Sequence, residues 1–292
     1  MSKNIKYSIN TNCLYKTHSP AQIAQLCRDV GLDGIEWGLF DKENPAKEAA
    51  EMAAVSRDHG LEVGGFINAG HLWKSDIMQR YSEAVIAGGG KYLRVSPPWA
   101  GWDYNECLHQ KASFNEMFKL CRGGLEQLEK MGARYGIRYV LETHMGGLCA
   151  SPCIVKMLMD GLNPAYVGII WDPGNGVMEG FLRPRLAIEL MGSYLSSIHV
   201  KNLFMSYQGI SMEGDLPFAA WQYHVCDLAS GQVNWLEAAF AMKCTGYTGW
   251  LTFEEFFKAS PEPVLKQSMA YMTKAFAAAP DAPQEPFTTL ND

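Results

Sequence analysis

Arg138-Tyr-Val-Leu-Glu142-Thr-His144 places an acid and an imidazole two positions apart at the end of an apolar run, just before Gly146 and Gly147. Side chains two apart on a strand share a face, so Glu142 and His144 can reach one cavity. Three later runs finish the same way: 167–171 runs into Asp172, 195–198 into His199, and 250–253 into Glu254. Three carboxylates and one imidazole make a mixed oxygen and nitrogen donor set, which suits Mn²⁺, Mg²⁺ or Co²⁺, Mn²⁺ foremost, better than Zn²⁺. An ion held there with open positions would act as a Lewis acid on a substrate hydroxyl and carbonyl. For any one acid, a cap or ion pair at a loop start is the plain alternative. Four at successive strand ends favour a shared ion. Glu255 competes with Glu254, but alternation from Trp250 and Thr252 sends Glu254 to the common face.

Weaker candidates surround this set. His144 is a base or substrate ligand, with a structural histidine as the alternative. Lys201, two past His199, can hold a hydroxyl or stabilise an enolate oxygen, although a solvated lysine is the default. Asn175 either caps the Asp-Pro-Gly-Asn turn or binds a ligand. Glu36 and Arg94 alternate toward the cavity. Trp37, Trp73, Trp99, Trp102 and Trp171 lie in or beside loops that follow strands; aromatic walls suit sugar faces, and core packing explains any one of them equally well. Trp37 and His224 complete the substrate-binding candidates.

The elements that must position these groups follow from sequence punctuation. Ser19-Pro20 opens a helix that Gly31 ends, and further helices are expected over 45–59, 74–87 and 112–135, with others starting at Ser151-Pro152, Pro184, Val233 and Pro261. Strands are expected over 5–9, 34–37, 61–67 and 92–95, ahead of the four tipped runs. Eight short strands, each followed by a helix, predict a closed α/β (β/α)₈ TIM barrel, whose chemistry sits at the strand C-termini. An open doubly wound sheet is the alternative, but no glycine-rich phosphate loop follows the first strand. The expected organisation is one domain over 1–279 with a loosely held tail over 280–292. Segment 203–232 reads as a loop inside the seventh unit, an active-site flap.

A chain of 292 residues, 48% apolar, can bury a sizeable core. A net charge of −6 gives no general attraction to nucleic acid or anionic lipid and favours a small polar substrate. The N-terminus has no apolar leader and no run of 18 apolar residues occurs, so a cytoplasmic location with no membrane contact is expected. The eight cysteines are scattered without a CxxC pair. Cys149 and Cys153 read as small fillers rather than a zinc or redox motif.

Leu-Glu142-Thr-His144, Trp-Asp172-Pro-Gly-Asn175, His199-Val-Lys201-Asn202, Gly-Gln-Val-Asn-Trp235 and Gly249-Trp-Leu-Thr-Phe-Glu254 together resemble the xylose isomerase-like barrels of the sugar isomerase and epimerase group, from Ile5 to about Phe276. In tagatose 3-epimerase-like relatives the matching Glu, Asp, His and Glu bind one divalent metal, and the two glutamates take and return a proton beside a carbonyl. Carried over, Glu142 and Glu254 are both ligands and acid/base partners of a metal-dependent isomerase or epimerase. Asn175 departs from the pattern, standing where those enzymes often carry a substrate-binding histidine. His144-Met-Gly-Gly and the run from Asp172 to Glu179-Gly are similar to the catalytic subunits of C-glycoside deglycosidases. That likeness implies a lyase acting on 3-oxo-glycosides, with His144 as base and a smaller second subunit, where the first reading allows a homo-oligomer. Endonuclease IV-like enzymes need further histidines on the third and fourth strands, where this chain has Asn68 and Ser96. A non-catalytic sugar-binding barrel is the remaining contrast.

Overall fold

The computed structural model describes residues 5–99, 111–256 and 260–282. The strands β1 (Lys6–Asn10), β2 (Gly34–Gly38), β3 (Glu62–Ile67), β4 (Tyr92–Arg94), β5 (Arg138–Glu142), β6 (Val167–Trp171) and β7 (Leu195–Val200) pair in parallel in that order, and β10 (Trp250–Phe253) closes the ring between β7 and β1. The order is that of a (β/α)₈ barrel. Helices α1 (Pro20–Val30), α2 (Pro45–Asp58), α3 (Ser75–Ala87), α4 (Phe114–Tyr135), α5 (Pro152–Met159), α6 (Pro173–Met178), α7 (Pro184–Met191), α8 (Trp235–Thr245) and α9 (Pro261–Ala278) connect and cover the strands. Their ends obey local chemistry. Ser19 with Gln22, and Ser113 with Glu116, form capping boxes, and Gly31 and Gly136 close the same helices at φ 85° and 69°.

Inside the barrel, a layer of side chains lies one pleat below the strand tips. Tyr92, Val140 and Ile170, packed by Trp250, form its apolar half. Ser8, Thr252 and Ser197 form the other half, with Ser8 and Thr252 hydroxyls 2.8 Å apart and Ser197 3.3 Å from Thr252. Each of these residues, Trp250 apart, stands two positions before a polar tip: Arg94, Glu142, Asp172, Asn10, Glu254 and His199. Alternation alone therefore delivers those six groups to one end of the barrel. Gly65 makes room for Tyr92, since a Cβ there would lie 2.2 Å from the ring.

Three expectations need correction. Segment 203–232 is not a loop: β8 (Asn202–Glu213) and β9 (Leu216–Cys226) form an antiparallel hairpin over most of it. The hairpin carries two irregularities, a bulge between Tyr207 and Gly209 and the turn at Gly214, where φ is 59°. Asn202 ties down its base, donating to the Leu228 and Val233 carbonyls and accepting from the Leu203 and Val233 amides. The short helix α6 was also unanticipated, and it starts directly on Asp172. Cys149 is buried beside Cys121, as a small filler should be, but Cys153 is exposed on the first turn of α5, so the filler reading does not hold for it. Trp102 and the tail from residue 283 lie outside the described residues, among which no helix is long and apolar enough to cross a membrane.

Candidate metal centre

Glu142 ends β5, Asp172 follows β6, His199 lies in β7 and Glu254 follows β10. All four are buried, and each offers one ligand atom such that these atoms lie within 4.8 Å of one another. His199 Nδ1 stands 3.0 Å from Glu142 Oε1, 3.8 Å from Glu254 Oε1 and 3.9 Å from Asp172 Oδ2. Four donors about 2.0–2.2 Å from a shared ion would stand about 3.3–3.6 Å from one another in a tetrahedral arrangement, and the His199 Nδ1 distances of 3.0, 3.8 and 3.9 Å bracket that spacing. The oxygens also fit. Asp172 uses Oδ1 to cap α6 by accepting from the Asn175 amide at 3.0 Å, which leaves Oδ2 for the cavity. Asp172 Oδ2 and Glu142 Oε2 are buried without an aligned hydrogen bond. Each meets a cation instead: Lys201 Nζ is 2.9 Å from the first and Arg94 2.5 Å from the second. A divalent ion satisfies such lone pairs where an aligned donor is missing.

Charge in this buried space is balanced by three basic groups. Lys201 Nζ also reaches Glu254 Oε2 at 2.6 Å. Burial by itself would lower the lysine pKa, but Asp172, Glu254 and Glu142 outweigh it and raise the value. Burial likewise works to raise Glu142, yet Arg94 and His199 hold its carboxyl well below the usual range. Asp172 goes the other way. Its burial, with Glu254 and Glu142 close by, overcomes Lys201 and pushes it up to about 7. Among the described residues, Glu142, Asp172, His199 and Glu254 are the group whose donors converge in this way.

The remaining candidates separate by direction. Arg94 sits at Glu142, and Asn175 Nδ2 donates to Glu142 Oε1 at 3.3 Å and to the Thr143 carbonyl at 3.2 Å. Glu36 does not line the mouth. It is fully buried behind His199, its Oε2 3.1 Å from Nε2, and it accepts from the Tyr92 hydroxyl at 2.5 Å. Trp37 is displaced from the substrate-binding set: one residue past inward-facing Glu36, it points into the helix layer, where Nε1 donates to Ser56 Oγ at 2.9 Å. His224 is on the hairpin, 2.7 Å from Ser206 Oγ and stacked on Phe204, outside the donor cluster. Glu255 turns outward and accepts from Ser268 Oγ at 2.6 Å.

His144 lies at the rim, its ring 5.4 Å from that of Trp99. Its Nδ1 is 2.7 Å from the Met145 carbonyl, which can only accept, so Nδ1 carries the proton and Nε2 the lone pair. Burial lowers its pKa, which keeps the ring neutral near pH 7. Glu179 steadies this loop by accepting from the Gly146 amide at 2.8 Å. Two contributors escaped sequence reasoning. Asn10 donates to Glu254 Oε1 at 2.9 Å, and Tyr92 holds Glu36. Asn10 had a readable signal, a polar tip on the first strand, but an amide stands out less than an acid or histidine.

Comparison with known proteins agrees with this architecture. Inosose dehydratase 1 of Bacillus cereus is 25% identical over 154 residues, 52% of this chain and 50% of the relative. The chain thus spans about half the length of the curated relatives it matches. The crystal structure of the 3-keto-D-glucoside 4-epimerase YcjR from E. coli superposes with a TM-score of 0.71 at 17% identity, covering 92% of this chain and 99% of that one. The IOLI protein with a bound zinc atom gives a TM-score of 0.71 at 16% identity, covering 94% and 99%. At such identities the structural likeness speaks to the fold. The family model described as xylose isomerase-like TIM barrel matches residues 24–275, and the chain belongs to that family.

Proposed function

We infer that this chain is a divalent-metal-dependent sugar isomerase or epimerase that abstracts a proton beside a carbonyl of a small sugar. The observation that carries this reading is the convergence of Glu142, Asp172, His199 and Glu254 on one buried point. A divalent ion held by these four would polarise the carbonyl and acidify the neighbouring C–H. Three oxygens and one nitrogen suit Mn²⁺, with Mg²⁺ and Co²⁺ close behind, and they accommodate zinc too.

The chain's own groups supply the proton handling. Glu142 and Glu254 are held ionised, the first by Arg94 and His199, the second by Lys201 and His199. Either can take a proton in this state. Asn10 and Asn175 fix the other edges of the two carboxylates, so neither is free to turn away from a bound substrate. General acid–base catalysis of this kind contributes about 10²–10⁴-fold. Lys201 and Arg94 are the cations placed to stabilise negative charge developing on a substrate oxygen.

A second reading has its own support. His144 is neutral and has its Nε2 lone pair set by the Met145 carbonyl, as a base for elimination from a 3-oxo-glycoside requires. The two readings share a first step and diverge on whether the proton returns or a leaving group departs. Incubating the protein with Mn²⁺ in D₂O against ketoses and 3-oxo-glycosides separates them. Deuterium at the carbon next to the carbonyl of a free sugar supports the epimerase, and aglycone release supports the lyase. If neither occurs with any of these substrates, proton abstraction is wrong.

A further inference from the structure

The β8–β9 hairpin rises from Asn202, next to Lys201, so it stands on the rim of the metal centre. Its two faces differ. Pairing places Tyr207 opposite Trp221, Met205 opposite Tyr223 and Ile210 opposite Ala219, and paired residues project from the same face. On that face Tyr207 is 54% exposed, Ile210 63%, Met212 57%, Trp221 59% and Tyr223 42%. The opposite face is mixed: Ser206, Ser211 and His224 are half-buried, whereas Phe204, Gln222 and, near the tip, Glu213 and Leu216 are exposed. No charged side chain stands on the exposed face. The hairpin's acids, Glu213 and Asp215, are at its tip.

We propose that this face is the contact through which two copies of the chain form a two-fold dimer. Scaled by exposed fraction against about 150–250 Å² for a whole aromatic side chain, these five residues leave roughly 500 Å² of apolar surface bare. Face to face with its symmetry mate, the pair covers about 1,000 Å², the size at which a specific interface begins. A two-stranded ribbon is marginal in water by itself and gains from a second layer on its open face. Two-fold packing needs one self-complementary patch, and an uncharged apolar ladder is self-complementary. Charge does not oppose that occupant locally: each chain carries −6 overall, and on this uncharged face two copies meet with no like charges set against each other.

Sedimentation equilibrium of the full chain across 1–100 µM tests this. The expected mass is twice the 32.5 kDa chain, falling to that of one chain in Trp221→Glu and, independently, Ile210→Lys, with circular dichroism and melting cooperativity of the wild type retained. A wild-type mass of one chain at every concentration overturns the proposal and leaves the face to a different protein. It is equally overturned if either folded variant remains a dimer. Should both variants misfold, protection of hairpin amides from hydrogen exchange that rises with wild-type concentration stands as support, and its absence as refutation.

Discussion

Replacing Glu36 by Gln tests whether a residue that never reaches the cavity governs the metal. His199 uses Nδ1 toward Glu142, Asp172 and Glu254, and its Nε2 lies 3.1 Å from Glu36 Oε2, with both side chains fully buried. A carboxylate there accepts from Nε2, fixes the ring's orientation and increases the electron density at Nδ1. It also accepts from the Tyr92 hydroxyl through Oε1. Gln keeps the shape but offers one accepting oxygen and one NH₂ to two donors, so either His199 or Tyr92 faces a donor. The loss of one charge-assisted hydrogen bond is worth about 1.5–3 kcal/mol, which corresponds to roughly 10–100-fold in affinity at 1.4 kcal/mol per decade. Tyr92→Phe leaves the carboxylate in place, and the expected loss is several-fold at most.

Competition titration of Mn²⁺ against a fluorescent chelator measures this directly, with circular dichroism as a check on folding. A Glu36→Gln protein that is folded and binds Mn²⁺ within two-fold of wild type refutes the reasoning. The assay also separates the two roles considered for Glu36, because loss of a substrate contact raises KM and leaves metal affinity unchanged.

Adding Mn²⁺ to metal-stripped protein at 100 times its Kd should stabilise the chain by about 2.7 kcal/mol, a rise of roughly 4–5 °C in Tm for a chain of 292 residues by scanning fluorimetry; an unchanged Tm counts against the site. Lys201→Met removes the ammonium between Asp172 and Glu254 and leaves buried carboxylates uncompensated. Metal-free Lys201→Met should lose about 3–5 kcal/mol in denaturant melts, with most of it recovered by Mn²⁺, whereas equal losses with and without the ion contradict the charge balance drawn here. Glu255 gives a pH signature. Burial lifts its pKa from 4.5 to about 7, so the folded state holds a proton that the unfolded state releases, and stability falls as pH rises through that window. At about 1.4 kcal/mol per unit, the full effect is roughly 3.5 kcal/mol. Glu255→Gln, which can still accept from Ser268, should therefore raise Tm more at pH 8 than at pH 5, and an equal shift at both would sink the assignment.

The barrel and its donors were legible because both depend on the two-residue period of a strand. An apolar run that ends on Glu142, Asp172, His199 or Glu254 states which face the tip occupies, and parallel closure brings four such tips together with no further information. The same rule removes Trp37: if Glu36 faces inward, its neighbour faces the helices, where Ser56 accepts from the indole. What sequence could not supply was depth along the barrel axis. Glu36 and Arg94 both alternate inward, but the bulge where β2 meets β3 and the open space at Gly65 let Tyr92 reach Glu36 behind His199, while Arg94 stays at the mouth. The hairpin was misread for a related reason. Its glycines belong to a bulge and a turn, and its apolar alternation faces outward, away from the core against which a strand's pattern is ordinarily judged. Local periodicity thus assigns a face, whereas what stands behind each candidate donor depends on which residue across the barrel is small.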